Sequence, residues 1–318
     1  MKKYLKLFWR LLSFALVLLV LMFGASLIFQ PKGNSKESGM LDSTANGILG
    51  EPENTIDTLI IGDSEAYSAF VPLKIWTESG ITSYVCATSA QVLCYSYEFL
   101  EKTFEKQQPR IVMLETNVIY RAFTQTDILT QKLSEKLSVF RYHDRWKTLS
   151  LRDWSFGVDL SSTEINKGYI YNNAVSPAST KDYMKPSPFA ESFSKQNEKY
   201  VKMMRDFCEA NGARFVLVSS PSTKNWSMPR HNAVEKLAKK LGVEYLDLNL
   251  MRRQIPINWK LETKDKGDHL NYSGATKVSV FLAKYLQKTG LFKDKRNDSA
   301  YAQWHDAVKQ FNESIKTS

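Results

Sequence analysis

Beyond residue 53, short apolar blocks alternate with longer amphipathic stretches along the chain. Each block is four or five residues long and apolar at most positions, as in strands buried on both faces of a parallel sheet. The predicted strands are Thr58–Ile61, Ser83–Cys86, Ile111–Glu115, Phe215–Ser219 and Val243–Leu246. The predicted helices are Tyr95–Lys106, Phe193–Asn211, Asn232–Leu241, Ser273–Thr289 and Ala300–Ile315. The alternation predicts an α/β protein with a doubly wound parallel sheet in a three-layer α/β/α arrangement.

Residues 118–192 interrupt this alternation. The stretch is rich in aromatic and turn-forming residues. A connection of that length between two strands is usually functional or mobile. We expect it to be an insertion that roofs the functional site.

The N-terminus predicts a membrane anchor. Residues 1–10 carry four basic residues and no acid, and the nineteen residues Leu11–Phe29 carry no charge. As a helix, this stretch would be about 28 Å long, close to the roughly 30 Å hydrocarbon core of a bilayer. The basic flank predicts a cytoplasmic N-terminus, a single span at residues 11–29 and a domain outside the cell membrane. A cleaved signal peptide remains the alternative.

Composition divides the rest of the chain into three segments. Residues 30–53 are rich in Gly, Pro, Ser and Asn, and we interpret them as a tether. Residues 54–292 are long enough for one α/β domain with its own core. Residues 293–318 read as a polar C-terminal tail.

The net charge of +10 falls to about +6 once the four basic residues before the span are set aside. The remaining lysines are scattered among acids, so the sequence predicts no nucleic-acid partner, which would need a basic stripe. Mild basicity outside the cell suits an anionic cell-wall polymer or anionic lipid headgroups.

The cysteines and histidines predict neither a metal site nor a cofactor. Cys86 and Cys94 could form a disulfide, but their positions favour buried free thiols, and Cys208 has no further partner. The four histidines have no ligand spacing with respect to the cysteines.

Polar residues follow four of the predicted strands. Ser64 follows the first strand, Ser89 with Ala90 the second, Asn117 the third and Ser220 the fourth. The carboxyl ends of parallel strands share one edge of the sheet, where ligands bind. We therefore interpret Ser64 as a nucleophile, with a plain helix N-cap as the alternative.

His269 is the candidate base for Ser64. A serine hydroxyl needs an imidazole to take its proton and a carboxylate to orient that imidazole. Two carboxylates are available: Asp268 is adjacent to His269, and Asp265 can reach it if Lys266 and Gly267 form a tight turn. The sequence slightly favours Asp268. The other histidines, His143, His231 and His305, are weaker candidates.

Acyl transfer also needs donors for the oxyanion that develops on the carbonyl. The backbone amides of Ser64 and Ala90 and the side chain of Asn117 are the candidates. A plain turn role for Asn117 is nearly as strong an interpretation.

The Gly62-Asp63-Ser64 motif, Asn117 and the late block from Asp268 to Ala275 resemble the SGNH/GDSL hydrolase superfamily. The resemblance covers about residues 57–287 and implies a flavodoxin-like sheet, with Ser64 as nucleophile and His269 as base. With the N-terminal anchor, it looks like the extracytoplasmic branch that includes the D-alanyl-lipoteichoic acid D protein and alginate-type O-acetyltransferases.

Three positions depart from the family pattern. Lys266 stands where the orienting Asp is common, and Ala90 stands where an oxyanion glycine is usual. The third block reads Glu115-Thr116-Asn117 instead of pairing Gly with Asn.

We expect a membrane-anchored serine O-acyltransferase or esterase that acts on cell-envelope polysaccharide or teichoic acid. The resemblance also implies a membrane-bound O-acyltransferase as acyl-donating partner. One alternative is a non-catalytic glycan-binding or scaffold subunit of such a partner. Another is an esterase that acts on lipids near the bilayer.

Overall fold

The computed structural model describes residues 1–316, and these residues form two compact units. The first unit combines Met1–Ser43 with Thr124–Ser162. The second, which we call the α/β unit, combines Thr44–Phe123 with the chain from Thr163 onward. The predicted insertion is therefore divided after Phe123 and again after Ser162. Its two flanks belong to the α/β unit and its middle part belongs to the first unit.

A five-stranded, fully parallel sheet forms the centre of the α/β unit. Its strands are β1 (Thr58–Gly62), β2 (Ser83–Ala87), β3 (Ile111–Glu115), β4 (Arg214–Ser219) and β5 (Glu244–Asp247). The order β2-β1-β3-β4-β5 is that of flavodoxin-like doubly wound sheets. The strand order reverses between β1 and β3, because β2 is added on one side of β1 and β3 on the other. All five predicted strands are confirmed, with ends within a residue or so.

Helices cover both faces of this sheet, which confirms the three-layer α/β/α architecture. They are α2 (Ser43–Asn46), α3 (Ser64–Ala69), α4 (Pro72–Ser79), α5 (Leu93–Phe104), α8 (Lys195–Ala210), α9 (Met228–Leu241), α10 (Tyr272–Lys288) and α11 (Ala302–Lys316). Ile60, Val85 and Met113 face α3, α4 and α10, while their neighbours Leu59, Tyr84 and Val112 point to the other face. Burial on both faces is why the strands read as continuous apolar blocks.

Besides the four-residue α2, the helices α3 and α4 of this unit escape sequence-based prediction. They have only six and eight residues, too few to show a helical period. Their ends are nonetheless encoded: Asp63 caps α3, Pro72 begins α4, and Gly80 ends α4 in a left-handed conformation at φ 69°.

Part of the predicted tether packs onto the α/β unit as a structured segment. Thr44–Gly50 belong to the α/β unit as α2 and a 3₁₀ turn, with Ala45 and Ile48 buried. Glu51 is fully buried and accepts a hydrogen bond from Lys167 Nζ at 2.7 Å. These few apolar side chains dock the segment even though its composition is typical of a linker.

The predicted polar tail also packs onto the domain. Trp304, Ala307 and Phe311 form an apolar stripe along α11 and are buried. The Trp304 ring lies 5.4 Å from the ring of Trp76 on α4. Three apolar positions at helical spacing are enough to dock a helix that is otherwise polar.

The first unit contains α1 (Lys2–Phe29), α6 (Gln125–Lys136), α7 (Val139–Tyr142) and two 3₁₀ turns, His143–Lys147 and Leu151–Trp154. Among the described residues, α1 is the one helix that is long and apolar enough to cross a membrane. It begins at Lys2, so the basic flank is continuous with the predicted span.

Candidate active site

Ser64 is the first residue of α3, directly after β1. The side chain of Asp63 accepts a hydrogen bond from the Glu65 amide and caps the helix, so the Ser64 hydroxyl is not used as the cap. Gly62 lets the turn close, because a Cβ at this position would lie 2.7 Å from the Glu115 side chain. The Gly-Asp-Ser motif thus brings Ser64 to the carboxyl edge of the sheet.

Ser64 and His269 are 205 residues apart in sequence and adjacent in space. The Ser64 hydroxyl lies 2.8 Å from Nε2 of His269, and His269 Nδ1 lies 2.6 Å from Oδ2 of Asp265. Because Nδ1 faces a carboxylate, the neutral ring carries its proton there, and Nε2 accepts from the serine hydroxyl. The three groups form a continuous chain from hydroxyl to imidazole to carboxylate.

The sequence-based preference for Asp268 over Asp265 is not what the geometry supports. Lys266 and Gly267 both adopt left-handed conformations, with φ of 62° and 89°. This turn folds the chain back, and Asp265 bonds both the backbone amide and the ring of His269. Asp268 Oδ1 is 3.8 Å from Nδ1 and accepts a hydrogen bond from Asn225 instead. The side chains of adjacent residues point apart, so Asp268 lies farther from the imidazole than Asp265 does, although it is closer in sequence.

The loop that carries His269 is held on two sides. Thr263 pairs with Leu270 as a β-bridge, and the Ser222 hydroxyl donates to the carbonyls of Gly267 and Asp268 at 3.1 and 2.8 Å. Gly267 is required here, since a Cβ would meet the Thr223 hydroxyl at 1.9 Å.

The second flank of the predicted insertion supports the same loop. The Ser176 amide donates to the Thr263 carbonyl at 2.8 Å, and the Lys266 amide donates to the Ser176 carbonyl at 3.2 Å. The Tyr272 amide donates to the Asn172 carbonyl at 2.8 Å. Residues 172–176 therefore form a backbone brace for the loop.

Two of the predicted oxyanion donors are backbone amides. Within residues 1–316, neither the Ser64 amide nor the Ala90 amide donates to another protein group. Ala90 is exposed, at the turn after β2, and has φ of 52°. Glycine would adopt this left-handed conformation without strain, whereas an alanine is strained there.

The side chain of Asn117 bonds to Asp63, the residue before Ser64. Its Nδ2 donates to Oδ2 of Asp63 at 2.8 Å, and its Oδ1 accepts from Arg230 Nη1 at 3.2 Å. Arg121 also pairs with Asp63, at 2.7 Å. One amide hydrogen of Asn117 is thereby committed to holding Asp63, the residue that positions Ser64.

Two buried acids beneath Ser64 were missed by the sequence reasoning. Glu65 accepts from Asn225 Nδ2 at 2.7 Å, and Glu115 accepts from the Ser220 and Asn117 amides. Burial, with the charges of Glu115 and Asp63, raises the pKa of Glu65 well above its usual value. Burial and Asp63 raise the pKa of Glu115 to about 8. The sequence signal for Glu115 is an acid at the end of an otherwise apolar strand.

Lys264 is a cation close to the acidic residues around His269. Its Nζ donates to the Ser68 hydroxyl at 2.9 Å and lies 5.8 Å from the centre of the Tyr67 ring. Burial lowers the pKa of Lys264, and the negative charges of Asp265, Glu65 and Asp268 oppose this shift.

The other three histidines lie apart from Ser64 or outside its unit. His231 pairs with Asp247 through Nδ1 at 2.7 Å. His143 is exposed in the first unit and bonds to the Phe140 carbonyl. His305 bonds to the Arg296 carbonyl and packs edge-on against Trp76.

One group of residues within 1–316 has metal-ligand atoms close together, namely Glu65, Asp268 and His269, within 4.8 Å of one another. The hydrogen bonds with Asn225, Ser64 and Asp265 already engage these side chains.

Cys86, Cys94 and Cys208 are free and buried, and burial raises the pKa of Cys86 and Cys208.

No protein-family model and no curated protein matches the sequence. Among solved structures, TesA is similar at a TM-score of 0.38 and 11% identity, with 74% of this chain and 99% of that chain covered. The esterase EstA from Pseudoalteromonas sp. gives a TM-score of 0.37 at 8% identity, covering 73% and 98% of the two chains. A GDSL-like lipase from Bacteroides thetaiotaomicron VPI-5482 gives 0.35 at 10% identity, covering 73% and 88%. These likenesses are remote, so the functional conclusion has to come from the atoms around Ser64 and His269.

Proposed function

We propose that the α/β unit is a serine acyl-transfer enzyme of the SGNH/GDSL type. The observation that carries this proposal is the unbroken chain from Ser64 Oγ through His269 to Asp265, at 2.8 and 2.6 Å. A hydroxyl, a base within hydrogen-bonding reach and an acid that orients the base are the parts of an activated serine nucleophile.

In the first half of the reaction, Ser64 Oγ attacks the carbonyl carbon of the acyl donor, and His269 Nε2 takes the hydroxyl proton. The negative charge on the carbonyl oxygen is stabilised by the unpartnered amides of Ser64 and Ala90. The tetrahedral species collapses to an acyl-serine as the donor's alcohol leaves with the proton from Nε2. Asp265 holds the ring in the required tautomer throughout and stabilises the imidazolium.

In the second half, an acceptor hydroxyl gives its proton to His269 Nε2 and attacks the carbonyl carbon of the acyl-serine. The bond from that carbon to Ser64 Oγ then breaks, and Oγ takes the proton back from Nε2. Water as acceptor gives an esterase, and a sugar hydroxyl gives an O-acyltransferase. We propose a sugar or polyol hydroxyl of cell-envelope polysaccharide or teichoic acid, with acetyl or D-alanyl as the acyl group. The resemblance of the anchored chain to extracytoplasmic acyltransferases and the mild basicity of the exported part support this choice.

We place the α/β unit on the outer face of the cell membrane, with α1 as anchor and a membrane-bound O-acyltransferase as the acyl-donating partner. The basic residues at the start of α1 favour a cytoplasmic N-terminus. The proposal requires no cofactor and no metal.

Lys266 and Ala90 depart from the family pattern and therefore favour the competing role, a non-catalytic glycan-binding or scaffold subunit. The geometry weakens this argument at both positions. Lys266 occupies a left-handed turn that delivers Asp265, one residue earlier, to the imidazole. Ala90 adopts the left-handed conformation that a glycine would adopt, so its amide keeps the same position in the turn.

The test is intact-mass analysis after exposure to an activated acetyl ester. Wild type, Ser64→Ala and Ser79→Ala are compared, because Ser79 is also a buried helical serine and bonds within α4. We expect an acetyl adduct on wild type and Ser79→Ala but none on Ser64→Ala. Equal labelling of Ser64→Ala would overturn the nucleophile assignment. Adding a purified glycan acceptor then separates transfer to sugar from release of free acid.

A further inference from the structure

The last turns of α1 are covered by protein. From Gly24 to Phe29 every residue is partly or fully buried, whereas Leu11 to Phe23 is exposed apart from Met22. The cover comes from residues Thr124–Ser162 of the same unit, which we call the collar.

The collar is fixed to the end of α1 by specific bonds. The Val139 amide donates to the Ser26 hydroxyl at 3.3 Å, and Arg145 Nη1 donates to the Phe29 carbonyl at 2.7 Å. A cation at this position satisfies a terminal carbonyl and complements the helix dipole.

The collar is itself well structured. Arg145 forms a buried ion pair with Asp153, and Asp153 closes a capping box with Ser150. Thr124 and Asp127 form a second capping box at the start of α6.

The covered turns leave α1 too short to cross a bilayer alone. The uncharged stretch outside the collar is Leu11 to Phe23, thirteen residues. At about 1.5 Å per residue it is roughly 20 Å long, about 10 Å short of the roughly 30 Å hydrocarbon core. Interfacial elements bury their apolar face by about 5–10 Å. The shortfall disappears if the collar lies at that depth in the outer leaflet.

The surface of the collar fits such a position. Eight large apolar side chains are exposed in its 39 residues: Leu129, Leu133, Phe140, Trp146, Leu151, Trp154, Phe156 and Val158. The described part of the α/β unit exposes six over a much longer chain. Leu151 and Phe156 are 93% and 85% exposed, which is unusual for a surface that faces water. Tryptophan, present at two of these positions, is enriched at membrane interfaces.

We propose that the collar is a second membrane-contact element, seated in the outer-leaflet interface of the bilayer that α1 crosses. Its 3₁₀ turns place Trp146, Leu151 and Trp154, with Phe156 just beyond, among the lipid headgroups and upper acyl chains. The collar has six basic and five acidic residues, so apolar insertion dominates charge attraction in this contact. The inference rests on the proposed anchoring by α1 and is independent of the proposed chemistry at Ser64.

The test measures the membrane depth of single labelled positions in the full-length chain, reconstituted into phosphatidylcholine–phosphatidylglycerol vesicles. Environment-sensitive fluorophores are attached at Leu151→Cys and Phe156→Cys. Phe14→Cys on α1 is the embedded reference, and Phe189→Cys, 74% exposed in the α/β unit, is the matched aqueous control. The native cysteines are buried and remain unlabelled.

We expect lipid-borne quenchers placed near the headgroups to quench the two collar probes severalfold more than the Phe189 probe. Aqueous iodide should show the reverse order. Collar probes that behave like the Phe189 probe would overturn the proposal, as would a Phe14 probe outside the bilayer. Protection of the collar only after a membrane-protein partner is added would assign this surface to protein docking. Acetyl labelling of Ser64 in the same samples shows separately whether the catalytic proposal holds.

Discussion

The described part of the α/β unit contains two histidine–carboxylate pairs, and in only one of them does the imidazole contact a serine hydroxyl. His269 and Asp265 are 2.6 Å apart, and His231 and Asp247 are 2.7 Å apart, in both cases through Nδ1. The opposite nitrogen of His269 reaches Ser64 Oγ at 2.8 Å. His231 instead borders a cavity of about 370 Å³ whose lining includes Glu235, Lys239 and Met251 and no serine.

The two carboxylates also differ in their surroundings. Asp247 is buried and bonds to Trp226 Nε1 and the Tyr245 hydroxyl as well as to His231, so it ties α9 to β5. The Asp265 carboxylate is 36% exposed and bonds to the ring and the backbone amide of His269, while Lys224 Nζ donates to the Asp265 carbonyl at 2.9 Å. The contrast teaches that an imidazole–carboxylate pair can serve packing alone, and that the proposed chemistry depends on the serine hydroxyl that meets the His269 ring.

The largest difference between the pairs is expected from removing each imidazole. His269→Gln should lower the turnover of an activated ester by about 10⁴-fold or more, because Ser64 loses its base. His231→Gln should leave turnover within a few-fold of wild type. It should instead lower the free energy of unfolding by about 1–3 kcal/mol, because Asp247 loses a buried partner. Esterase kinetics and urea unfolding of both variants check this, and a similar loss of turnover in both would remove the distinction.

Next in size is the effect of the orienting acid. Asp265→Asn should reduce turnover by about 10²–10⁴-fold, since the amide no longer fixes the imidazole tautomer. Asp268→Asn is the matched control, with similar exposure and its bond to Asn225, and should cost less than about tenfold. The measurement is kcat for both variants. A larger loss in Asp268→Asn would return the role to the adjacent residue.

A pH dependence should separate the structural pair further. The hydrogen bond from Asp247 raises the pKa of His231 above its usual value. The folded state therefore holds this proton more tightly than the unfolded chain does. The stabilisation is fully present below the unfolded pKa of about 6.5 and is lost as pH rises through the folded pKa. The stability difference between wild type and His231→Gln should thus be larger at pH 5 than at pH 9, as measured by urea unfolding. A constant difference would mean that Asp247 does not raise the pKa of His231 in the folded state.

The smallest effect concerns the turn after β2 that carries Ala90, a proposed oxyanion donor. Ala90→Gly should raise the free energy of unfolding by up to about 1 kcal/mol, because glycine adopts φ of 52° without strain. Turnover should stay close to wild type, since the amide is retained. Thermal unfolding with ester kinetics tests this, with Ala302→Gly at the start of α11 as a control that should be neutral or destabilising. A large loss of turnover in Ala90→Gly would mean that the alanine methyl group itself positions the turn.

The sheet could be predicted from the sequence because parallel strands buried on both faces leave continuous apolar blocks. Ser64 and His269 could be predicted because both follow from motifs at the carboxyl edge of that sheet. The choice between Asp265 and Asp268 could not, since it depends on two left-handed residues, Lys266 and Gly267, whose turn is a property of the folded loop.

Other features depend on contacts distant in sequence. The burial of Glu65 and Glu115 beneath Ser64 follows from Asn225 and Ser220, which come from the loop after β4. The division of residues 118–192 between two units left no boundary signal in composition. The docking of α11 rests on three apolar side chains in a polar helix, a weak signal beside its charged residues.

The most direct test of the central claim is peptide mapping after reaction with a fluorophosphonate, which bonds covalently to an activated serine oxygen. The account predicts one label per chain, on Ser64, that is lost in His269→Gln and kept in His231→Gln. A label on another residue, or a Ser64 label that survives His269→Gln at the wild-type rate, would contradict it.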